Sequence, residues 1–507
     1  MTSPTDSTVA GRAAGESPPG ADPRRWLALT VIAVAQLMVV LDATVVNIAL
    51  PSAQRELGIS DADRQWMITA YTLTFGGLLL LGGRLADFAG RKRTFIIGLL
   101  GFAGASALGG LATTAGLLFA ARALQGGFGA LLAPSALSLI TVTFTTPKDR
   151  ARAFGVFGAI AGGGAALGLI LGGVLTEYTS WRWCLGVNVP IAVLTALAAV
   201  PLVKESRAAG DTRYDVPGAV LATGGLVALV YGFTEAAKPS VGWNAPSTRA
   251  LLTIAVVLLV AFVVLESRTK NPLLPLRVAL DRNRGGSFLA FLLLAAAMFA
   301  MFLFLTFYFQ VVLGYSPLKA GFAFLPFSIG IILAAGAVAQ ILPRTGPKPL
   351  MVTGTAMGTL AMLYLLQTTP TSSYFTHVLP AEIVMSLGLA AVFIPASSTA
   401  LVGVSPHDAG VASALLNSTQ QVGGSLGTAL LNTLYASAVT GYLAAHVSTP
   451  ADLPAVQADA LVHGYHVAFF WGAVMMAAAL AVIVVFVDAK KDDIPQREAE
   501  EPALAAA

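Results

Sequence analysis

The chain has 507 residues, of which 56% are hydrophobic and only 11% are Asp, Glu, Lys or Arg. Soluble proteins carry about 25% charged residues, so this chain has too little charge for a water-exposed surface, and an ordinary cytosolic enzyme is excluded. Its 51 glycines are typical of closely packed membrane helices, and its one cysteine, Cys184, excludes an internal disulfide framework or a thiolate metal cluster.

Apolar stretches long enough to be membrane helices follow one another from Trp26 onward. About 20 apolar residues in a helix cross a ~30 Å hydrocarbon core. The polar segments before and after them, 1–25 and 488–507, are predicted to be cytoplasmic tails, the first of them disordered. Fourteen transmembrane helices are predicted, at 26–49, 66–86, 94–114, 117–143, 151–175, 182–202, 215–235, 249–266, 286–312, 317–341, 348–368, 376–402, 409–438 and 463–487.

The positions of the basic residues orient these predicted helices. If the N-terminus is inside, the tails and the even-numbered loops hold 23 of the 30 Lys and Arg residues, and Arg122 lies within a helix. This asymmetry predicts that both termini are cytoplasmic, and it explains the net charge of +4 without nucleic-acid binding. The gap 439–462 contains Pro, His and Asp residues and is predicted to be a long external loop. The six basic residues on the outer side are Arg55, Arg64, Arg182, Lys238, Arg249 and Lys319.

The predicted loop between helices 2 and 3 contains the motif Gly-Arg-Leu-Ala-Asp-Phe-Ala-Gly-Arg-Lys-Arg at 83–93. Its glycines allow a tight turn, and an Asp beside arginines can form a latch that breaks in another conformation. The motif resembles that of the major facilitator superfamily, in which an Arg usually stands at the position of Phe88. The alternative is an ordinary positive-inside loop. The predicted gate residues are Gly83, Asp87, Gly90, Arg91 and Arg93.

Three further stretches are similar to the fourteen-helix drug/proton antiporters of that superfamily. They are Leu41-Asp-Ala-Thr-Val-Val-Asn-Ile-Ala-Leu-Pro51, Trp181-Arg-Trp with Asn188-Val-Pro190, and Gly314-Tyr-Ser-Pro-Leu-Lys-Ala-Gly321. The resemblance implies an all-α membrane protein with two six-helix bundles of inverted repeats around a central cavity, plus two inserted helices. The corresponding boundaries are 26–202 for the N-terminal bundle, 203–270 for the linker with the inserted helices, and 271–487 for the C-terminal bundle. Helices 1, 4, 9 and 12 would then face the cavity.

Helices 4 and 5 carry two more family features. Arg122-Ala-Leu-Gln125-Gly-Gly-Phe-Gly129 is similar to the family's membrane-embedded Arg motif, and an Arg at that depth needs a partner or water. Helix 5 has glycines at four-residue spacing, which predicts a smooth ridge for close packing. Exporters usually have a Gly-Pro pair in this helix, whereas here Leu169 follows the glycine. The predicted packing glycines are Gly164, Gly168, Gly172 and Gly173.

Charges inside the predicted spans are the candidates for coupling. Asp42, Arg122 and Glu382 each lie six or seven residues from the outer end of a span, roughly 9–11 Å deep at 1.5 Å per residue. A buried acid can carry a proton and release it when its surroundings change. The alternatives are a helix-packing hydrogen bond for Asp42, a structural tie for Arg122, and contact with the outer interface for Glu382. The polar candidates for the cavity are Asn47, Gln125, Tyr308 and Gln310.

These features predict a bacterial inner-membrane exporter of amphipathic drug-like compounds, driven by proton entry. The sequence has no Gly-Lys dipeptide and therefore no P-loop for ATP. We expect no enzymatic activity, no cofactor beyond the proton motive force, no metal and no nucleic-acid partner. The expected partners are protons, the lipid bilayer and a small amphipathic substrate, with the chain acting as a monomer. Two alternatives are a proton-linked uptake symporter of the same fold and a membrane scaffold or lipid-handling protein.

Overall fold

The computed structural model describes residues 24–207, 215–269, 272–401, 404, 409–447, 449 and 453–489. In these ranges the chain is helical and contains no strand. Most of both predicted tails, residues 1–23 and 490–507, lies outside the described residues.

The helices follow one another along the described chain. Three short segments of other helix types adjoin the α-helices: the π-helical segments Tyr308–Val312 and Tyr374–Val378 and the 3₁₀ turn Leu365–Gln367. The helices are α1 (Arg25–Leu57), α2 (Trp66–Ala89), α3 (Arg91–Gly110), α4 (Ala115–Thr143), α5 (Pro147–Tyr178), α6 (Trp183–Gly186), α7 (Asn188–Leu202), α8 (Val216–Ala237), α9 (Pro246–Arg268), α10 (Leu276–Ala279), α11 (Arg282–Phe307), α12 (Pro317–Ala323), α13 (Leu325–Thr345), α14 (Pro347–Tyr364), α15 (Leu379–Leu401), α16 (Ala409–His446) and α17 (Leu453–Phe486).

The helical segments support a multi-pass membrane protein. Among the described residues, twelve are long and apolar enough to cross a membrane, judged by length and composition. Helices α5 and α16 have 32 and 38 residues and cover the predicted spans 151–175 and 409–438. They are not among the twelve, and α16 is rich in Ser, Thr, Asn and Gln. The total of fourteen membrane helices therefore stays a prediction.

The prediction of a long external loop at 439–462 is wrong. Helix α16 continues to His446 and α17 already begins at Leu453, so the connection is only 447–452. The polar residues of this region form helix ends that extend past the apolar spans, where water can satisfy their side chains. The ring of Tyr442 packs on His446 at 4.0 Å and on His463 at 5.1 Å, joining the two helix ends.

The helices form two bundles with the same packing pattern, as a duplicated membrane fold requires. In the first bundle α1 packs on α5, α2 on α4, and α3 on α7. The second bundle repeats these contacts with α11 on α16, α13 on α15, and α14 on α17. The bundles meet along two seams, α2 against α16 and α5 against α12 and α13. The inserted helices α8 and α9 pack on each other, and α8 also contacts both α2 and α16.

Small residues allow the closest helix contacts. A Cβ added at Gly168 would lie 1.8 Å from the Thr44 hydroxyl of α1, too close for any side chain. The equivalent contact in the second bundle is Gly427 of α16, where a Cβ would lie 2.3 Å from the Cα of Ala296 in α11. Gly164 and Gly172 also face α1, whereas Gly173 faces Leu318 of α12 across a seam.

The end of the molecule where α1 begins and α17 ends is called the terminal face here, and the opposite end the distal face. Toward the distal face both bundles share one apolar core, in which Ile48 of α1 and Phe309 of the π-helical segment after α11 are fully buried. Toward the terminal face a second core, with Ile32, Phe95 and Phe144, belongs to the first bundle. The two bundles are therefore packed together at the distal face.

Candidate functional site

A buried ion pair lies inside the first bundle. Arg122 Nη1 of α4 is 2.7 Å from Asp42 Oδ2 of α1, and both side chains are at most 2% exposed. The glycines that follow Arg122 let α4 approach α2 closely, since a Cβ at Gly126 would lie 2.2 Å from the Tyr71 carbonyl of α2. A charge at this depth is tolerated only when it is paired and hydrogen-bonded.

Amides and a hydroxyl surround the ion pair. Asp42 Oδ1 accepts hydrogen bonds from Gln125 Nε2 at 3.1 Å and from Asn188 Nδ2 of α7 at 2.8 Å. Gln125 also accepts from Arg122 at 2.8 Å and donates to Ser106 Oγ of α3 at 2.7 Å. All of these side chains are buried. Both oxygens of the Asp42 carboxylate therefore accept hydrogen bonds from buried donors.

Helix α2 completes the surroundings of Arg122. The Nε of Arg122 donates to the Met67 carbonyl at 2.9 Å, and the Arg122 guanidinium lies over the Tyr71 ring at 4.5 Å. Both contacts favour a cation.

Glu382 lies in the second bundle and has a different environment. It is 1% exposed, and its Oε2 accepts from the Tyr374 hydroxyl at 3.2 Å, while its Oε1 has no partner among the described residues. The single hydrogen of the Tyr374 hydroxyl is shared between this carboxylate and the Ala323 carbonyl, which lies closer at 2.7 Å. The structure thus brings Asp42 and Arg122 together, but Glu382 is not among the partners described for either.

The remaining polar candidates are spread along the bundles. Asn47 donates to the Ala43 carbonyl of its own helix at 3.1 Å and is partly exposed. Tyr308 is buried in the distal aromatic core and donates to the Thr369 carbonyl at 2.7 Å. Gln310 donates to the Ile48 carbonyl at 2.9 Å, which places it on the contact between the two bundles.

The α2–α3 turn contains the predicted gate residues. Arg91 donates twice to Asp87 Oδ1, at 3.1 Å from Nε and 2.8 Å from Nη2. Gly90 adopts φ = +119°, and a Cβ there would lie 2.8 Å from the Glu205 carboxylate. That carboxylate accepts from the backbone N–H groups of Lys92 and Arg93, both at 3.1 Å, and so caps the start of α3. A Cβ added at Gly83 would lie 3.5 Å from the Cβ of Pro134 in α4.

Sequence reasoning missed several of these partners. Asn188 stands in a stretch that was used only for its family resemblance, although an amide inside an apolar span was a signal. Ser106 gave no signal, because single serines are common in membrane helices. Arg64 was counted as an outer-loop charge, yet it is 2% exposed and lies over the rings of Phe307 and Tyr435 at 4.0 and 4.5 Å.

Comparison with known proteins supplies the family. A family model described as Major Facilitator Superfamily matches residues 32–428. The chain belongs to the major facilitator superfamily. It is 52% identical over 471 residues to the puromycin resistance protein of Streptomyces alboniger, covering 92% of each chain. It is 40% identical to the cephamycin export protein of Amycolatopsis lactamdurans over 86% of this chain and 88% of the relative.

Solved structures agree with the fold. A bacterial homologue of the human lysosomal transporter Spinster, solved in an inward-facing and unoccupied conformation, covers 94% of this chain with a TM-score of 0.66 and 17% identity. All of that solved chain is covered. The family match and the relatives show a membrane transporter of this superfamily and not an enzyme, and the solved structure agrees with its two-bundle helical fold.

Proposed function

We propose that the protein exports an amphipathic antibiotic-like compound across the cell membrane in exchange for protons. The observation that carries the proposal is the 52% identity, over 92% of both chains, to a puromycin resistance protein. The cephamycin export protein supports the same direction of transport. These two relatives are named for chemically different antibiotics. Because the predicted span 317–341 contains no Asp or Glu, the substrate class proposed here is an uncharged or singly charged amphipathic antibiotic.

The proposed orientation places both termini, and so the terminal face, in the cytoplasm. Its support is the distribution of Lys and Arg, with 23 of 30 on the terminal side or in the tails. With this orientation, closure of the distal face corresponds to a transporter closed toward the outside. The protein is proposed to work as a single chain whose two bundles alternate between opening to either side.

Proton exchange is proposed to act on the Asp42–Arg122 pair. A proton on Asp42 removes the charge that holds Arg122, so the two side chains separate or shift, and loss of the proton restores the pair. Glu382 is proposed as a second proton carrier, because its Oε1 is buried without a partner and no cation is described beside it. One proton entering at ~150 mV supplies about 3.5 kcal/mol, enough for roughly a 300-fold gradient of a neutral substrate.

Two measurements test the export proposal. A pump-deficient bacterial host that expresses the chain is tested against a panel that includes puromycin, a cephamycin and cationic dyes. We expect a raised inhibitory concentration for at least one antibiotic. In inverted membrane vesicles with an acidic interior, addition of that compound should release protons and accumulate the compound inside.

Variants of the two proposed proton carriers test the coupling of export to proton movement. Asp42→Asn and Glu382→Gln are compared with Asp63→Asn, whose carboxylate lies at the exposed distal face and bonds to Ser60. We expect Asp63→Asn to keep proton release, and Asp42→Asn to lose it. Unchanged susceptibility to every compound in the panel would contradict export, and full proton release in both Asp42→Asn and Glu382→Gln would contradict the proposed proton carriers.

A further inference from the structure

The inserted helix α8 lies on the seam between the two bundles, next to their direct contacts at the distal face. We propose that α8 is part of the distal gate: it holds α2 and α16 together while that face is closed and must release one of them for the face to open. The inference rests on the alternating opening proposed above and gives the inserted helices a role in it.

Gln65, at the start of α2, joins three helices. It is fully buried. One orientation of its amide satisfies both ends: Oε1 accepts from the Thr234 hydroxyl of α8 at 2.8 Å, and Nε2 donates to the carbonyls of Thr428 and Ala429 in α16 at 3.1 and 3.2 Å. A single side chain of the first bundle thus bonds to the inserted helix and to the second bundle.

A second bond ties α8 to α16 directly. The Thr433 hydroxyl of α16 lies 2.8 Å from the Phe233 carbonyl of α8 and 2.9 Å from the Ala429 carbonyl of its own helix, and its one hydrogen is shared between these two acceptors. A small separate apolar cluster lies nearer the terminal face than these bonds, and it contains Leu73 of α2, Val230 of α8 and Ala429 of α16. Helix α8 therefore contacts both sides of the seam through polar and apolar groups.

The direct latch between the bundles uses the neighbouring residues. Arg64 Nε donates to Asn432 Oδ1 at 3.2 Å, and Asn432 Nδ2 donates to the Asp61 carbonyl at 2.8 Å. Arg64 precedes Gln65, and Asn432 precedes Thr433. The direct bonds and the bonds through α8 therefore form one continuous contact around the same two helix segments.

The geometry requires α8 to respond when the distal face opens. Opening moves the start of α2 away from the middle of α16, and α8 can follow only one of them. At least one buried hydrogen bond of α8 then breaks, which stabilises the closed state relative to the open state. The open population should consequently rise when those bonds are removed.

The test measures how often the seam opens. Ala62→Cys serves as the reporter, because Ala62 is 7% exposed and its carbonyl lies 3.4 Å from Asn432 Nδ2. The native Cys184, 1% exposed in the first bundle, remains as an internal control for general loosening. The rate of alkylation at each cysteine is followed by mass spectrometry on the purified full chain, and it scales with the open population when opening is fast.

The variants are nearly isosteric. Thr234→Val removes the bond of α8 to α2, and Thr433→Val removes its bond to α16. The variant whose bond breaks on opening is expected to raise the alkylation rate at position 62 about five-fold, the equivalent of about 1 kcal/mol, whereas the other variant should leave it unchanged. Thr253→Val is the matched control, because the hydroxyl of the exposed Thr253 of α9 donates to the Arg249 carbonyl of its own helix. We expect its rate to equal that of the parent.

The outcomes are separable. A faster rate at position 62 with unchanged labelling of Cys184 supports the proposal. An unchanged rate at position 62 in both α8 variants overturns it, and so does a parallel rise at both cysteines, which would indicate loosening of the whole fold. The labelling needs neither substrate nor proton gradient, so its failure would leave the export proposal standing, and a chain that exports nothing could still show the gate.

Discussion

Replacement of Asp42 by Asn is the sharpest test of the buried ion pair. Oδ1 of Asp42 faces two amide donors and Oδ2 faces the Arg122 guanidinium. An Asn side chain has one acceptor and one donor group, so either orientation turns an N–H group toward another donor. The substitution also leaves Arg122 charged and 1% exposed. Breaking one side of a buried pair costs about 3–5 kcal/mol.

The expected size of the effect distinguishes a paired charge from simple packing. We expect Asp42→Asn and Arg122→Gln each to lower the free energy of unfolding by about 3–5 kcal/mol. The double variant removes both charges, and its two amides can bond to each other. It should be more stable than either single variant. The interaction energy of the double-mutant cycle is then stabilising, opposite in sign to the loss of stability in each single variant.

Titration with a denaturing detergent, followed by tryptophan fluorescence, measures these free energies. Asp63→Asn is the control, since an exposed carboxylate contributes at most about 1 kcal/mol. If the double variant lost as much stability as the sum of the two singles, the ion pair would not be the interaction that holds these helices, and the reasoning above would be refuted.

Two glycine pairs give further predictions with the same titration. Gly168→Ala places a Cβ 1.8 Å from the Thr44 hydroxyl of α1 and should lower the free energy of unfolding by about 1–3 kcal/mol. Gly163→Ala has open space around it and should raise the free energy of unfolding by up to about 1 kcal/mol. Equal effects of the two variants would contradict the close α1–α5 contact. Gly90→Ala meets the Glu205 carboxylate at φ = +119° and should cost more than Gly58→Ala, which has φ = +62° and open space and should cost about 1–2 kcal/mol. A smaller loss of stability for Gly90→Ala than for Gly58→Ala would contradict this reasoning and show that the Glu205 side chain moves aside at little cost.

The fold could be predicted from the sequence because a bilayer imposes long apolar helices and leaves few alternatives. Each predicted span coincides with a helix or helix pair of the structure. The boundaries were least accurate where helices continue into water, as at Leu57 and His446. There the residues become polar without the helix ending, and hydropathy cannot distinguish a solvated helix end from a loop.

The site was predictable only in part. Charges are rare inside spans, so Asp42 and Arg122 were visible as candidates, and the helix packing brings them to 2.7 Å. Depth alone placed Glu382 in the same layer, but depth does not give the direction in which a side chain points, and its described partner is Tyr374. The burial of Arg64 depends on Phe307 and Tyr435, contacts too distant in sequence for any local pattern to reveal.

One short segment connects the ion pair to the distal gate. Met67, whose carbonyl accepts from Arg122, lies in the first turn of α2, only three residues after Arg64 and two after Gln65. A change in the position of Arg122 therefore acts on the same backbone that carries both gate side chains. If protons exchange at Asp42, this turn is the shortest covalent route by which the exchange reaches the seam, because the other partners of the pair lie on α3, α4 and α7 within the first bundle.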